Sequence, residues 1–202
     1  MPITKALSDG ELAALTTDAQ ILEEDSLGPK VYRLADGNFL KLFRRKRLLS
    51  SALLYPYSTR FWENAEHLTK LGIPTLTPLH LYQLKEASLS AVLYRPLPGK
   101  TLKDLYLESP DTFPEYVPKL IEFIRALHRN GIYFRSLHLG NIVLTPQGAL
   151  GLIDIADLSF QRRPLSRAKA KRNLAHFSRP LESMGIAGQF PLASITSAIL
   201  KD

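Results

Sequence analysis

Two polar residues of this sequence have the chemistry and the placement of metal ligands. Asn141 ends the loop "LHLGN", and Asp154, 13 positions later, directly follows the apolar stretch "LGLI". Amide and carboxylate oxygens are ligands that Mg²⁺ accepts, and this ion completes its coordination shell with phosphate oxygens and water. Each residue alone is also a common turn or cap residue. Together, and in this order, they predict a site for magnesium and a phosphate group.

A lysine inside an apolar strand is the next candidate. Lys41 lies in "NFLKLF", where burial of its ammonium group would be costly unless the group reached a partner. The alternative is a lysine on an edge strand that points to solvent. The two interpretations remain open at this point.

The front half of the chain is expected to be rich in strands. Residues 7–23 predict a short amphipathic helix with Ser8 as its N-cap. The stretch "KVYRLADGNFLKLF" predicts a β-hairpin around an Asp-Gly turn, and two more strands are expected in "LHLYQLKEASLSAVLYRPL". Residues 59–71 predict a helix that ends at Gly72; its buried face would comprise Phe61, Ala65, Leu68 and Leu71.

The back half is expected to be richer in helices. A Pro-Gly pair at 98–99 separates the halves, and Thr101 can cap the short helix that follows. A longer helix is predicted over residues 114–129, with a buried face of Val117, Leu120, Ile121, Ile124 and Leu127. The stretches "NIVLTPQG" and "LGLIDIADL" predict a small hairpin. The fold class is therefore α+β, with a boundary near residues 96–100.

Composition and charge narrow the functional classes. The 202 residues are 45% hydrophobic and include no cysteine, which excludes disulfides and thiolate metal sites. The first 25 residues lack the pattern of a signal peptide, and no apolar run approaches the roughly 20 residues of a membrane span. We expect a cytoplasmic protein.

The net charge of +7 is concentrated in one segment. Seven of the basic residues lie between Arg162 and Arg179 without any acid among them. One interpretation is a solvated basic surface. The other is a single positive face, formed by Arg162, Arg163, Arg167, Lys169, Lys171 and Arg172, that binds phosphorylated or lipid-anchored anions. We do not expect nucleic acid as a partner, because no zinc spacing or aromatic RNA-binding motif accompanies the charges.

Four stretches carry a resemblance to a known family: "LPGKTL", "LHRNGIYFRSLHLGNIVL", "LIDIADLSF" and "RAKAKRNLAHFSR". From about residue 26 to residue 180 the sequence resembles the bacterial lipopolysaccharide kinases of the Kdo/WaaP type and their small toluene-tolerance relatives. The resemblance implies one protein-kinase-like domain over residues 1–202. Its strand-rich N-lobe would comprise residues 1–95, and a trimmed helical C-lobe would comprise residues 96–202.

The same resemblance implies ATP and Mg²⁺ as cofactors. Lys41 would hold the α- and β-phosphates, and Gly28 would be what remains of the glycine-rich loop. Adenine would lie against the hinge at 95–99, which includes Arg95 and Leu97. Asn141 and Asp154 would be the metal ligands, with Asp154 as the first residue of the Asp-Phe-Gly motif.

Several positions depart from the family pattern. Ser136 occupies the position of the catalytic aspartate, and a serine is not a general base near neutral pH. Proton transfer could pass to His138, Asp154 or Asp157. The helix residue that pairs with Lys41 is also open, because Asn64 occupies the expected position between Glu63 and Glu66.

These observations lead to two expectations about function. The first is an ATP-dependent phosphotransferase that acts on a lipopolysaccharide core sugar or a related envelope precursor. The second is a pseudokinase, with or without bound nucleotide, that serves as a regulatory or interaction module in envelope biogenesis. The basic segment Arg162–Arg179 would contact the anionic acceptor or the inner-membrane surface.

Overall fold

Strands dominate the front of the chain and helices dominate the back, as the sequence predicts for an α+β protein. The computed structural model describes residues 3–44, 55–86 and 88–201. Two structural units divide the chain, Met1–Leu97 and Pro98–Asp202. The division therefore lies within the segment 96–100, where the Pro-Gly pair predicts a boundary.

The first unit contains a six-stranded sheet and two helices among its described residues. The strands are β1 (Thr4–Leu7), β2 (Gln20–Asp25), β3 (Gly28–Arg33), β4 (Phe39–Arg44), β5 (Thr77–Leu84) and β6 (Leu89–Arg95). The helices are α1 (Asp9–Thr16) and α2 (Tyr57–Lys70). The strand order is β1-β5-β6-β4-β3-β2. β1 pairs with β5 in parallel, and the other neighbours are antiparallel.

The predicted hairpin and the two strands after it are confirmed as β3–β4 and β5–β6. The single helix over residues 7–23 is wrong. Ser8 does cap α1, with its Oγ accepting from the Glu11 amide, but the helix ends at Thr16 and the chain continues as β2. None of the α1 residues is buried, so packing does little to extend the helix, whereas β2 gains a ladder of hydrogen bonds with β3.

Helix α2 buries the face that the sequence predicts, with one exception. Phe61, Ala65 and Leu68 are buried, but Leu71 is 43% exposed. The helix ends at Lys70, and Leu71 lies at its C-cap. Gly72 then adopts a left-handed φ of +70°, so the chain turns away before Leu71 can join the buried face.

The second unit contains four helices and five short strands among its described residues. The helices are α3 (Leu102–Glu108), α4 (Val117–Arg129), α5 (Arg167–Ser183) and α6 (Leu192–Ile199). The strands are β7 (Lys100–Thr101), β8 (Ile132–Phe134), β9 (Ile142–Leu144), β10 (Leu150–Leu152) and β11 (Leu158–Phe160). The predicted hairpin is confirmed as β9–β10, and Thr101 caps α3.

Helix α4 is shorter than predicted, because residues 113–116 form a 3-10 turn before it. Leu120, Ile124 and Leu127 are buried as expected, while Val117 and Ile121 are only half-buried. Among the described residues, no helix is long and apolar enough to cross a membrane.

One close backbone approach aligns the two strands that flank the candidate site. β8 pairs antiparallel with β11, joining Phe134 to Leu158 and Tyr133 to Ser159. Gly131, just before β8, has a φ of +69°, and a Cβ there would lie 2.4 Å from the Gln161 carbonyl oxygen. Only glycine allows this approach, which brings residues 135 and 136 opposite the end of the 153–157 segment.

Candidate functional site

Two loops of the second unit carry the predicted catalytic and metal-binding residues. The first loop, residues 135–141, connects β8 to β9, and the second, residues 153–157, connects β10 to β11. The Ile153 amide donates to the Asn141 carbonyl oxygen at 3.1 Å. This bond and the antiparallel β8–β11 pair hold the two loops together.

Asn141 is fixed by its side-chain amide. The residue is 8% exposed. Its Nδ2 donates to the Ser136 carbonyl oxygen at 2.9 Å and lies 3.1 Å from His138 Nε2. Because Nδ2 makes both contacts, Oδ1 is the side-chain atom with the chemistry of a metal ligand.

The backbone of Asp154 is in an unusual conformation. Its φ of 52° and ψ of 46° are left-handed, and it is the only non-glycine residue with positive φ in the described parts of the chain. A non-glycine residue in this region carries conformational strain of roughly 1–3 kcal/mol and is typical of functional sites. The strain is consistent with a role in which the Asp154 carboxylate must point in one direction.

The hydroxyl of Ser136 contacts a carboxylate. Its Oγ donates to Asp157 Oδ2 at 2.6 Å. Asp157 Oδ1 is buried and has no hydrogen-bond partner among the described residues. Burial raises the pKa of the Asp157 carboxyl, and the hydrogen bond from Ser136 partly offsets this shift. The position at which the resemblance implies a catalytic aspartate thus holds a serine, whose hydroxyl donates a hydrogen bond to the carboxylate of Asp157.

His138 completes this group of side chains. Burial lowers the pKa of the imidazole, while the nearby Asp154 carboxylate favours protonation and Lys103 opposes it. The Gly140 amide donates to His138 Nδ1 at 3.1 Å. The Asn141 amide nitrogen, also a donor, lies 3.1 Å from His138 Nε2. A neutral ring has only one acceptor nitrogen, so it can accept from only one of these two groups at a time.

The structure therefore brings together, within the second unit, all four predicted residues of the loops: Ser136, His138, Asn141 and Asp154. It adds Asp157, which the sequence offered only as one of three possible bases. Within the described residues, no three His, Cys, Asp or Glu side chains form a ready-made metal site. Any magnesium here would rely on one amide, one carboxylate and non-protein oxygens.

The predicted nucleotide-binding lysine lies in the first unit. Lys41 is 5% exposed, and its Nζ lies 5.7 Å from the ring centroid of Phe61 on α2 and 5.9 Å from that of Phe43. It pairs with Val92 of β6, so β4 is a central strand. The edge-strand interpretation is therefore wrong, and the ammonium group is held under helix α2.

The three helix candidates for the partner of Lys41 differ in their surroundings. Glu66 is exposed and accepts from Trp62 Nε1 at 2.8 Å, and Glu63 accepts from the Tyr55 hydroxyl. Asn64 is 6% exposed and lies on the same helix face as Phe61. Of the three, Asn64 shares the buried environment of Lys41.

The remaining predicted nucleotide-binding residues lie at the ends of strands or just beyond them. Gly28, with a φ of +100°, begins β3 and pairs with Asp25 across a tight turn. Arg44 Nη2 donates to the Pro29 carbonyl oxygen at 2.7 Å, which fastens this turn to β4. Arg95 is the exposed last residue of β6, and Leu97 is half-buried.

The basic residues of the segment Arg162–Arg179 do not form the single face that the sequence predicts. Lys169 and Arg172 line one surface cavity, with Tyr133 and His176. Arg167 lines another, with residues of α4 and α6. The reason is helical spacing, since positions 167 and 169 are separated by about 200° around α5.

Comparisons with known proteins leave the family unassigned. No family profile matches the chain, and no curated protein matches it at a significant level.

Proposed function

We propose that this protein is an ATP- and Mg²⁺-dependent phosphotransferase of protein-kinase-like fold. Its acceptor would be a sugar hydroxyl of a lipopolysaccharide core or a related envelope precursor. The observation that carries the proposal is the contact of Ser136 with Asp157, beside Asn141 and the strained Asp154. Through this contact the carboxylate of Asp157, a possible base, lies next to position 136, where the resemblance would assign the catalytic aspartate.

The order of elements supports the kinase-like assignment. The antiparallel strands β2 and β3 precede β4, the strand with the buried Lys41. Helix α2 follows β4 and places its Phe61 ring against this lysine. Two strands lead to the division at Leu97, and a long helix, a polar loop and a small hairpin follow it. The resemblance in sequence assigns the same order to the two lobes.

The donor groups fit the proposed cofactors. Asn141 and Asp154 offer one amide and one carboxylate oxygen, which suits an ion that keeps water and phosphate in its shell. Lys41 would hold phosphate oxygens. When bound, ATP would supply the phosphoryl group, and Mg²⁺ would neutralise part of the charge on its oxygens.

Asp157 would accept the proton from the acceptor hydroxyl. Oδ2 already accepts from Ser136, and Oδ1 is unpartnered but buried, so the carboxylate would have to turn for Oδ1 to reach the acceptor hydroxyl. The raised pKa of the carboxyl brings its proton affinity closer to that of a useful base at neutral pH. Ser136 would orient the carboxylate without exchanging a proton itself.

Thermal melting with and without Mg-ATP tests binding, and release of ADP with a lipopolysaccharide core fragment tests turnover. Ligand at about 100 times its dissociation constant should add roughly 2.7 kcal/mol of stability. Asn141→Ala should remove the magnesium-dependent part of this shift. Ser136→Ala should slow turnover by about tenfold or less, because it removes one hydrogen bond, whereas Asp157→Asn should slow it roughly 10²–10⁴-fold.

A pseudokinase is the second candidate, and the serine at position 136 favours it. The turn at Gly28, fastened by Arg44, also lacks the run of glycines that encloses phosphates in active enzymes. Melting that shifts with Mg-ATP but is accompanied by no turnover would favour this candidate. An unchanged melting curve would overturn nucleotide binding altogether.

A further inference from the structure

The surface cavity that Lys169 and Arg172 line lies on the second unit, beside β8, β11 and helix α5. Its volume is about 460 Å³. Every residue that lines it has a polar or charged side chain: Tyr133, Arg135, Ser159, Gln161, Lys169, Arg172 and His176. Three of these are permanent cations, and the lining contains no carboxylate. The sequence did not point to Arg135 or Tyr133 as part of this basic surface.

Among the described residues the cations of this cavity form no salt bridge, and Arg135 interacts electrostatically with Asp157 without forming one. Neither Arg135 nor Arg172 makes a hydrogen bond or salt bridge to another side chain or carbonyl within the described residues. Lys169 Nζ donates only to the neutral Gln161 Oε1, at 2.8 Å. Three like charges around one cavity repel each other, so a bound anion would relieve this repulsion.

Neutral groups of the same cavity provide further hydrogen bonds. The Tyr133 hydroxyl lies 3.1 Å from His176 Nε2, and this contact fixes both side chains. Ser159 pairs with Tyr133 across the β8–β11 ladder, and its hydroxyl donates to the Tyr133 carbonyl oxygen at 3.4 Å. The cavity therefore offers two guanidinium groups, one ammonium group and hydroxyl groups, mounted on two paired strands and a helix.

We propose that this cavity binds a phosphate monoester dianion. Two arginines can each give paired N–H donors to a phosphate, and a lysine adds a point charge. The volume also lies within the range of about 300–1,000 Å³ that is usual for small-molecule sites, so a sugar could accompany the phosphate. The cavity would hold the phosphorylated part of the acceptor. That last assignment rests on the proposed function; the binding of the anion does not.

The position of Arg135 explains why this anion would matter to the candidate site. Arg135 directly precedes Ser136, and its charge acts on the Asp157 carboxyl. An acceptor whose phosphate lies at Arg135 would therefore be anchored on the loop whose Ser136 hydroxyl contacts the proposed base, Asp157.

The cavity on the other side of α5 is a weaker candidate, although it is also basic. Its volume is about 220 Å³, and much of its lining is apolar, including Leu165, Ile199 and Leu200. One of its arginines, Arg125, already pairs with Glu122 at 2.7 Å and donates to the Ala198 carbonyl oxygen. Arg167, which lines this cavity, and Lys171, four residues further along α5, thus serve as matched controls.

Isothermal titration with glucose 6-phosphate, without ATP or Mg²⁺, tests the proposal. A double variant, Arg135→Gln with Arg172→Gln, should lose at least about tenfold in affinity for each cation removed. The control pair Arg167→Gln and Lys171→Gln removes the same charge and should bind within about threefold of the wild type. Vesicles of phosphatidic acid in phosphatidylcholine form a second arm that presents the same phosphate on a membrane.

The outcomes are distinct. Loss of binding to the soluble ester in the first variant alone supports a pocket for a soluble phosphate, and loss only with vesicles assigns it to a lipid headgroup. Equal losses in both double variants would mean general attraction by the basic surface and would overturn the proposal, as would no binding in either arm. Asp157→Asn should still bind the ester, so a failure of the proposed phosphotransferase would not be mistaken for a failure of this site.

Discussion

The replacement Asp157→Asn should make the protein more stable and less active. The Asp157 carboxylate is partly buried, one of its oxygens has no partner among the described residues, and burial raises its pKa. Asparagine has nearly the same shape but no charge, and Ser136 can still hydrogen-bond to it. The substitution thus removes the cost of desolvating a charge together with the proposed base.

The gain in stability should depend on pH in a specific direction. The folded state binds the Asp157 proton more tightly than the unfolded state, where the carboxyl has its ordinary pKa of 3.8. The wild type therefore loses stability as pH rises above that value, until the folded-state pKa is passed. The advantage of the variant should be absent in acid, grow through this window and stay constant above it.

The size of the gain follows from the charge alone, because asparagine keeps a polar atom at the unpartnered position. An unpaired buried atom costs more when it is charged than when it is neutral, and because Asp157 is only partly buried we expect a difference of about 1 kcal/mol. For a chain of this length that corresponds to a rise of about 2–4 °C in melting temperature at neutral pH.

Melting curves between acid and neutral pH, together with ADP release at neutral pH, measure both effects. Asp111→Asn is the matched control, because it removes the same charge from an exposed position of the same unit. It should change neither stability nor rate appreciably. An Asp157→Asn variant that retained full turnover would refute the assignment of the base, and one that was less stable at neutral pH would refute the analysis of its burial.

Three further substitutions test the surroundings of the site. Asn173→Ala should destabilise the protein by about 1–3 kcal/mol in urea unfolding, because it leaves the buried His128 Nε2 without its Asn173 partner at 3.0 Å, while the Phe134 carbonyl oxygen keeps the Leu137 amide as a donor. Ser178→Ala, at a half-buried position of the same helix, removes only a bond to the Ala175 carbonyl oxygen and should have a smaller effect. Asp154→Gly should relieve about 1 kcal/mol of left-handed strain while abolishing the magnesium-dependent shift in melting. His138→Gln should reduce the loss of stability below pH 6.5, because the lowered folded-state pKa of the wild-type imidazole disfavours its protonation.

Local signals in the sequence predicted most of the elements. The Asp-Gly turn, the Gly72 stop and the caps at Ser8 and Thr101 each act within a few residues, so they can be recognised without the fold. The strand β2 could not be recognised in this way. Its helix-compatible sequence becomes a strand because β3 offers hydrogen bonds, and a partner of this kind is a tertiary effect.

The candidate site likewise combines features that the sequence reveals with features that depend on the fold. The types and order of Asn141 and Asp154 are visible in the sequence, since each ends a recognisable apolar stretch. The contact of Ser136 with Asp157 is not visible, because it depends on the register of β8 with β11, two strands separated by more than 20 residues. The left-handed backbone of Asp154 is likewise a property of the folded loop.

The same contact gives a physical reason for a serine at position 136. An aspartate there would place a second carboxylate at hydrogen-bonding distance from Asp157, with the charge of Asp154 also acting on the pair. Two carboxylates at that separation share one proton, and the pKa of the pair rises steeply. Serine avoids this repulsion and donates a hydrogen bond, which keeps Asp157 closer to the ionised form that a base requires. A serine at residue 136, where the resemblance would assign an aspartate, is thus compatible with the proposed catalysis as long as residue 157 is the acid.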